Sequence, residues 1–439
     1  MVSPSKLYLD PLCRIHCSQA IVHPGEGCLN FMLRNIHRQG MSSAKYFLPL
    51  LISPLFAKWK LMDRNLLISS LKYYMQTVGC ATASAIITFS QVCVIRNVLG
   101  RYYKYTAIGI PGFSGMLICW FFPQRVISLY LIATSQAAIE VMIRHRSNFL
   151  TRLICDSNTF KTVLFMMNSS FILHYKRLKF YKGFWFIKPN EMPAMDDSQS
   201  NKDGDQPEAR STNSGNCSHM GQTCLSFLLS GLKSNVLIGL SLDIFSILLR
   251  DKVPSGTNGF WNTIWAKVRN LKLQKFKMTS FFLSYIGIYR LTHCLLQQFF
   301  KINARHQWSH IASAFLGGAA YIFLDQLTIY TLSLVLTIQI LWQWACHKTT
   351  TDEEQKKDEE YAFLRILKRI KFAQIIVPLN ISYLLHNYLY RSHLVNSLAR
   401  GFINGVTASR PKTILERITG SDTETILRTA ALHTKRIAF

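Results

Sequence analysis

Charge is scarce in this chain, and acidic charge is the scarcest. Charged residues make up 17% of the 439 residues, while hydrophobic residues make up 49% and aromatic residues 12%. Soluble domains carry about 25% charged residues. The low charge argues against an ordinary soluble enzyme and favours a protein whose solvent is largely lipid.

The few acidic residues are also unevenly placed. Of 23 Asp and Glu residues, six lie in Lys188–Gln222 and six in Asp352–Glu360, against 50 Lys and Arg and a net charge of +27. Elsewhere Lys and Arg flank apolar segments, as the positive-inside bias of membrane proteins predicts. We therefore expect the basic residues to meet a bilayer with anionic headgroups, and we expect no nucleic acid as a partner.

Motifs for several chemistries are missing as well. Nucleotide-binding loops, zincin motifs and nucleophile elbows are absent, so we predict no enzyme activity and no cofactor. The segment from Met1 to Gly40 lacks a continuous apolar stretch, so we expect no cleaved signal peptide. Eleven scattered cysteines, an odd number, argue against a secreted disulfide scaffold.

Long uncharged runs are what the chain has in abundance. A membrane-crossing helix needs about 20 apolar residues, and five runs approach or exceed that length. They are Tyr73–Ile95, Tyr105–Gln124, Gln307–Leu324, Gln326–His347 and Phe372–Tyr390. With the shorter apolar segments, they predict an all-α polytopic membrane protein with about eight to ten membrane-embedded helices.

Composition divides the chain into five parts. Residues 1–40 form a Cys- and His-containing region, and 41–187 form a first membrane helical half. Residues 188–222 are polar and rich in Pro, Gly and Ser, which predicts a disordered linker. A second membrane helical half covers 223–390. The tail, 391–439, is basic and amphipathic, and we expect it either to lie on a membrane or to pack on the domain.

The two halves resemble each other at a constant offset in residue number. Phe113, Gly115, Phe121, Gln124 and Ile127 match Phe315, Gly317, Phe323, Gln326 and Ile329 in the same order and with the same spacing. We interpret the halves as a duplication, as in membrane proteins that build an interface between repeats. Whether they are parallel or inverted is left open.

Small residues cluster in the matched segments. Helices in lipid associate by close packing at Gly, Ala and Ser, so we predict two helix-packing faces; lining a ligand passage is the alternative. The residues of these faces are Gly109, Gly112 and Gly115 in the first half and Ala314, Gly317 and Gly318 in the second.

Three carboxylates interrupt the apolar segments: Glu140, Asp243 and Asp325. Charges in hydrocarbon are costly and mark a partner, a polar path or an interface. We expect Asp325 to lie at headgroup level between two helices and Glu140 to pair with Arg144 four residues later. Asp243 lies deeper in its segment, and its predicted partner is Lys233 or an Arg of another helix.

Soft metal ligands are concentrated before the first helix. Cys13, His16, Cys17, His23 and Cys28 offer thiol and imidazole groups that suit zinc. Their spacing fits no common zinc motif, which pairs two close ligands with two more a dozen or more residues on. We therefore interpret Cys17, His23 and Cys28 as part of a packed cap under the first helices and assign no metal.

The chain resembles the transmembrane protein 135 family, also called peroxisomal membrane protein 52. The resemblance rests on Cys17, His23-Pro24 and Cys28 before a hydrophobic helix, and on "SYIGIYRLTHCLL" and "AFLGGAAYIFLDQLTIYTLS". It implies a multipass protein of mitochondrial or peroxisomal membranes, with a segment related to the channel subunits of mitochondrial inner-membrane translocases.

What this resemblance implies about function is a scaffold or regulator. Such a protein influences the balance of mitochondrial fission and fusion and peroxisomal or lipid metabolism, with organelle-division or membrane proteins as partners. The alternative is a transporter or translocase-like channel with a polar path between the halves.

Overall fold

The computed structural model describes residues 16–18, 22–57, 63–103, 105–189, 223–250, 276–300, 307–324, 326–351 and 372–420. Over these residues the chain is helical and contains no strand, which confirms the all-α prediction for them. The helices are α1 (Cys28–Ala57), α2 (Arg64–Leu99), α3 (Gly109–Met116), α4 (Gln124–Arg144), α5 (Phe149–Asp156), α6 (Asn158–Arg177), α7 (Cys224–Arg250), α8 (Lys277–Phe300), α9 (Gln307–Gly318), α10 (Leu327–Thr351), α11 (Phe372–Tyr390), α12 (Ser397–Val406) and α13 (Arg410–Gly420).

Four helices in the described part of the chain are long and apolar enough to cross a membrane. They are α2, α4, the Cys224–Ser241 part of α7 and the Leu327–Ala345 part of α10. The length and composition of these helices suggest a membrane protein. The expected number of eight to ten membrane-embedded helices stays a prediction. A shorter helix can be embedded in a membrane without crossing it, so the number of crossing helices does not test it.

Two of the five long uncharged runs do not form continuous spans. Tyr105–Gln124 forms the eight-residue α3 and a 3₁₀ turn, Leu117–Phe121, before α4 begins. The break follows from Pro123, because a proline disfavours helical backbone at the preceding residue and Phe122 is extended, with φ −104° and ψ 155°. Gln307–Leu324 likewise forms α9 and a 3₁₀ turn, Ala319–Phe323.

The chain folds as two compact units, residues 1–152 with 352–439 and residues 153–351. In the first unit α1 packs on α2, α2 on α3, and α11 on both α3 and α4. The buried Tyr130 of α4 donates a hydrogen bond to the carbonyl of Thr77 on α2, at 3.0 Å. This contact satisfies a polar group that would otherwise be orphaned among apolar side chains.

Helix α12, near the C-terminus, also belongs to the core of the first unit. Ser42 and Ser43 of α1 donate to the carbonyls of Gly405 and Val406 at 2.6 and 3.2 Å. Phe402 packs edge-on against three aromatic rings, those of Tyr46, Phe47 and Tyr130. Of the two placements expected for the tail, its described part therefore packs on the domain.

The second unit repeats the same order of helix contacts. Here α7 packs on α8, α8 on α9, and α6 on both α9 and α10. Its centre is Tyr285 on α8, whose hydroxyl is 2.5 Å from the Ser169 hydroxyl and accepts from the Trp185 indole at 2.8 Å. Ser169 lies on α6 and also donates to the carbonyl of Ala314 on α9, at 2.9 Å.

The two units do not follow the boundaries of the predicted halves 41–187 and 223–390, because the helix that closes each unit comes from the other stretch of chain. Helix α6 follows α4 along the chain yet packs in the second unit, and α11 follows α10 yet packs in the first. The physical reason is that the two helices carry nearly the same motif. Asn168-x-Ser-Phe-Ile-Leu-His in α6 matches Asn380-x-Ser-Tyr-Leu-Leu-His in α11, so hydropathy does not distinguish which bundle each closes.

The motif asparagines make equivalent contacts. Asn168 donates to the Ser333 hydroxyl on α10 at 3.0 Å, and Asn380 donates to the Ser135 hydroxyl on α4 at 2.9 Å. The two 3₁₀ turns, Leu117–Phe121 and Ala319–Phe323, also keep the constant offset found in the sequence.

Three predictions lie outside the described residues. They concern Asp325, the disordered linker beyond residue 189, and the C-terminal tail beyond residue 420.

Candidate functional site

The most concentrated set of reactive side chains lies where the N-terminal segment meets α2. Cys17, His23, Cys28 and Cys93 bring their ligand atoms within 4.8 Å of one another. Cys17, His23 and Cys93 are buried, with exposed fractions of 0, 2 and 2%, and Cys28 is partly exposed. We refer to these four residues as the Cys–His cluster.

A tight turn brings the first three of these residues together. The His23 N–H donates to the Cys17 carbonyl at 3.1 Å, and the Gly25 N–H donates to the Ser18 carbonyl at 2.9 Å. Gly25 has φ 77°, a left-handed conformation that glycine adopts without strain. Helix α1 then begins at Cys28, whose pKa is raised by burial and by the neighbouring Cys17.

The orientation of the imidazole is fixed from both sides. Its Nδ1 lies 2.9 Å from the Glu26 carbonyl oxygen, and its Nε2 lies 3.3 Å from the Cys93 sulfur. The ring stacks on Phe31 at a centroid distance of 4.6 Å. Because a carbonyl only accepts, Nδ1 carries the proton and Nε2 presents its lone pair to the sulfur atoms.

The cluster also favours a negative charge on one sulfur. Hydrogen bonds with Cys93, His23 and Cys28 lower the pKa of the Cys17 thiol to about 4, although burial acts in the opposite direction. Burial lowers the pKa of His23, but the hydrogen bond and the charge of Cys17 outweigh it and raise the pKa overall.

Comparison with known proteins does not assign this site. No family model, no curated protein and no solved structure matches the chain. The side chains themselves therefore indicate the chemistry of the site.

Burial limits what the Cys–His cluster can do. A nucleophilic cysteine has to meet its substrate, and Cys17 has no exposed surface. The Cys17 and Cys28 sulfurs are 3.5 Å apart, well beyond the roughly 2.05 Å of a disulfide, and both cysteines are free. A buried group of three thiols and an imidazole is instead the ligand set of a structural metal site.

Sequence reasoning identifies three of these four residues and misses Cys93. Cys93 aligns with Cys294 in the other half, but it lies on a different helix from Cys28, too far along the chain for any local motif. The sequence does place Cys93 three residues before Arg96, at the end of the apolar run of α2. A thiol at the end of a spanning helix is close to where a segment outside the membrane could reach it. Cys13 lies outside the described residues, and the His16 imidazole points to the Ser18 hydroxyl, at 2.7 Å.

The carboxylate of Glu140 is fully buried and takes part in an ion pair and a hydrogen bond. It pairs with Arg144 at 2.5 Å, the expected pair four residues apart, and it accepts a hydrogen bond from the Asn396 amide. Asn396 in turn caps α12 by accepting from the Ala399 N–H at 2.6 Å. Glu140 therefore ties the C-terminal helix to α4, a role that the sequence did not indicate.

Asp243 on α7 has a backbone partner rather than the predicted Lys or Arg. Its two carboxylate oxygens accept from the N–H groups of Met278 and Thr279 at 3.1 and 2.8 Å, and one accepts from the Thr279 hydroxyl at 2.7 Å. These donors belong to the first turn of α8, whose N–H groups have no partner within the helix. Asp243, 3% exposed, therefore caps α8 from a neighbouring helix.

Gly239 makes this cap possible. A Cβ at this position, one turn before Asp243, would lie 2.7 Å from the Thr279 Cα. The absence of a side chain lets the start of α8 approach α7 closely enough for the carboxylate to reach its N–H groups.

We expect Asp243→Ala to destabilise the second unit. The substitution leaves two partly buried N–H groups and a hydroxyl without their carboxylate partner, at a cost of about 1–3 kcal/mol. Thermal unfolding of the purified protein in detergent should show the loss. Ser241→Ala is the control, because Ser241 is exposed on the same helix and its hydroxyl donates only to its own helix at Leu237; equal losses in both variants would contradict the capping role.

The predicted small-residue positions lie where helices approach each other. A Cβ on Gly115 would lie 2.9 Å from the Ser84 carbonyl oxygen of α2, and a Cβ on Gly318 would lie 2.7 Å from the Met166 Cα of α6. At Gly112 and Gly317 the nearest atoms, at 2.8 and 3.2 Å, are side-chain atoms of Leu385, Tyr285 and Tyr289. Gly109 is less crowded, with Ser382 at 3.7 Å, and Ala314 is fully buried.

A second polar cluster lies between α8 and α9 in the second unit. The His293 and His310 rings are 4.2 Å apart, and His293 contacts the Gln297 amide at 2.7 Å and the Ser309 hydroxyl at 3.1 Å. These neutral partners satisfy the imidazole, so the cluster joins two helices by hydrogen bonds.

Proposed function

We propose that the chain is a multipass scaffold or regulator of a mitochondrial or peroxisomal membrane, acting through protein contacts rather than by transport. In this role it influences the mitochondrial fission–fusion balance and peroxisomal or lipid metabolism. The organelle and the process rest on the resemblance noted in the sequence, and the scaffold mechanism rests on the helix packing.

The scaffold mechanism is supported chiefly by the burial and hydrogen bonding of the carboxylates in the apolar helices. A channel exposes its intramembrane charges to a watery path. Glu140 and Asp243 are instead buried, and each is satisfied by groups of its own unit. A cavity between α2 and α11 holds about 40 Å³, room for one or a few water molecules, and its lining is mostly apolar.

The outer faces of the spanning helices support a lipid environment. On α2, Leu67, Ile68, Met75 and Val98 are exposed, Val98 by 77%. Large apolar side chains exposed on a spanning helix are costly in water and favourable in hydrocarbon. We also propose that the two halves arose by duplication, supported by the matched turns and motif asparagines.

The proposal predicts no flux through the purified protein. Reconstituted liposomes that contain the chain should retain a small dye and a proton gradient as well as empty liposomes do, and Asp243→Asn should change nothing. Flux that depends on Asp243 would overturn the scaffold mechanism in favour of a transporter.

Two cellular measurements test the rest of the proposal. A tagged copy should colocalise with mitochondrial or peroxisomal markers, and its depletion should change mean mitochondrial length. Localisation to the plasma membrane, or unchanged mitochondria and peroxisomal lipids after depletion, would contradict the organelle assignment.

A further inference from the structure

We propose that Cys17, His23, Cys28 and Cys93 bind one Zn²⁺ ion as a closed structural site. The inference goes beyond the scaffold role and does not depend on it. It stands on the distances, burial and outer contacts of the four side chains.

The distances match tetrahedral zinc. Zinc–sulfur bonds of about 2.3 Å at tetrahedral angles place two sulfurs ~3.8 Å apart, and a zinc–nitrogen bond of about 2.0 Å places sulfur and nitrogen ~3.5 Å apart. The Cys17 and Cys28 sulfurs are 3.5 Å apart, and His23 Nε2 is 3.3 Å from the Cys93 sulfur. All four atoms lie within 4.8 Å of one another, so the longest separation has to shorten by at most about 1 Å to complete the site.

The ligand set favours zinc over harder metals. Thiolates and imidazole are soft ligands, whereas magnesium and calcium need oxygen ligands. Four protein ligands leave no open coordination position, which distinguishes a structural site from a catalytic one. The Glu26 carbonyl supplies the outer contact that zinc-bound histidines make, because it holds the Nδ1 proton and leaves Nε2 for the metal.

The site would fasten the N-terminal segment to a spanning helix. Three ligands come from the segment before and at the start of α1, and the fourth comes from α2 near the end of its apolar run. Phe31 stacks on His23. The Arg410 guanidinium of α13 lies over the Phe31 ring, 5.0 Å from its centroid. The ion would therefore fix the point where the first and last described segments meet at the end of α2.

Metal content of the full-length protein, purified in detergent without chelator, tests the proposal directly. Elemental mass spectrometry should find about one zinc per chain. Cys93→Ser should reduce this at least fivefold, whereas Cys80→Ser, which changes a buried thiol of the same helix outside the cluster, should retain the metal. His23→Ala should lose zinc and His23→Cys should keep it, because a fourth thiolate replaces the imidazole.

A measurement on the unaltered chain covers the case in which the variants fail to fold. Cys28 is partly exposed, so its reaction with a maleimide should be slow in the purified protein and at least tenfold faster after a zinc chelator. Cobalt added to the chelated protein should give the intense visible bands of tetrahedral thiolate coordination.

Three results would overturn the inference. They are zinc far below one per chain with no cobalt bands, a Cys17–Cys28 disulfide in the non-reduced peptide map, and undiminished zinc in Cys93→Ser. Iron in place of zinc would also overturn it.

Discussion

Gly115→Ala is expected to destabilise the first unit, although alanine is the better helix former. The added methyl group would lie 2.9 Å from the carbonyl oxygen of Ser84 and from the N–H nitrogen of Thr88, both backbone atoms of α2. Backbone atoms cannot turn aside, so α3 has to move away from α2, at a cost of about 1–3 kcal/mol. Thermal unfolding in detergent should show a lower midpoint.

Two comparisons make this test specific. Gly318→Ala should have a similar effect in the second unit, because its methyl group meets the Met166 backbone. Gly401→Ala should be neutral or stabilising by up to about 1 kcal/mol, because Gly401 lies in α12 with no atom within 4 Å of the added methyl. A stabilised Gly115→Ala protein would contradict the close approach of α3 and α2.

Arg144→Ala should also destabilise the first unit, because it removes the ion-pair partner of the Glu140 carboxylate. Glu140 has no exposed surface and keeps the hydrogen bond from the Asn396 amide. Removing one partner of a fully buried ion pair costs about 3–5 kcal/mol. Because the Arg144 side chain is 36% exposed, the cost here should be smaller, about 1.5–3 kcal/mol for a lost hydrogen bond to a charged group, and the unfolding midpoint should fall by a few degrees. Because Asn396 also caps α12, limited proteolysis should cleave the C-terminal segment faster in this variant.

The matched control is an exposed pair with the same spacing. Lys412 and Glu416 on α13 are four residues apart and more than half exposed, so Lys412→Ala should cost at most about 0.5 kcal/mol. The double variant Glu140→Gln, Arg144→Met should recover most of the stability lost in Arg144→Ala, since no buried charge remains. If the single and double variants are equally unstable, charge burial is not the cause.

The helical class could be predicted from local pattern alone. The uncharged runs of α2 and α10 and the break at Pro123 are features of neighbouring residues, and hydropathy and proline stereochemistry describe them. The Glu140–Arg144 pair was equally accessible, because helical geometry places residues four apart on one face.

The contacts that define the candidate site could not be predicted in this way. Cys93 joins the Cys–His cluster from a distant helix, and Asp243 binds main-chain N–H groups that have no residue-type signature in the sequence. The packing of α6 in the second unit and of α11 in the first could not be predicted from the sequence for a related reason. Because the two helices carry nearly the same apolar motif, their composition is compatible with either bundle. Only their packing in the structure shows which bundle each belongs to.

The exchanged closing helices constrain how the protein is made. The face formed by α3 and α4 is covered by α11, which the ribosome completes only after every helix of the second unit has been synthesised. During translation, the first bundle therefore stays open to lipid or to insertion chaperones while the second is made. Maturation of the first bundle is tied to one late event, the arrival of α11.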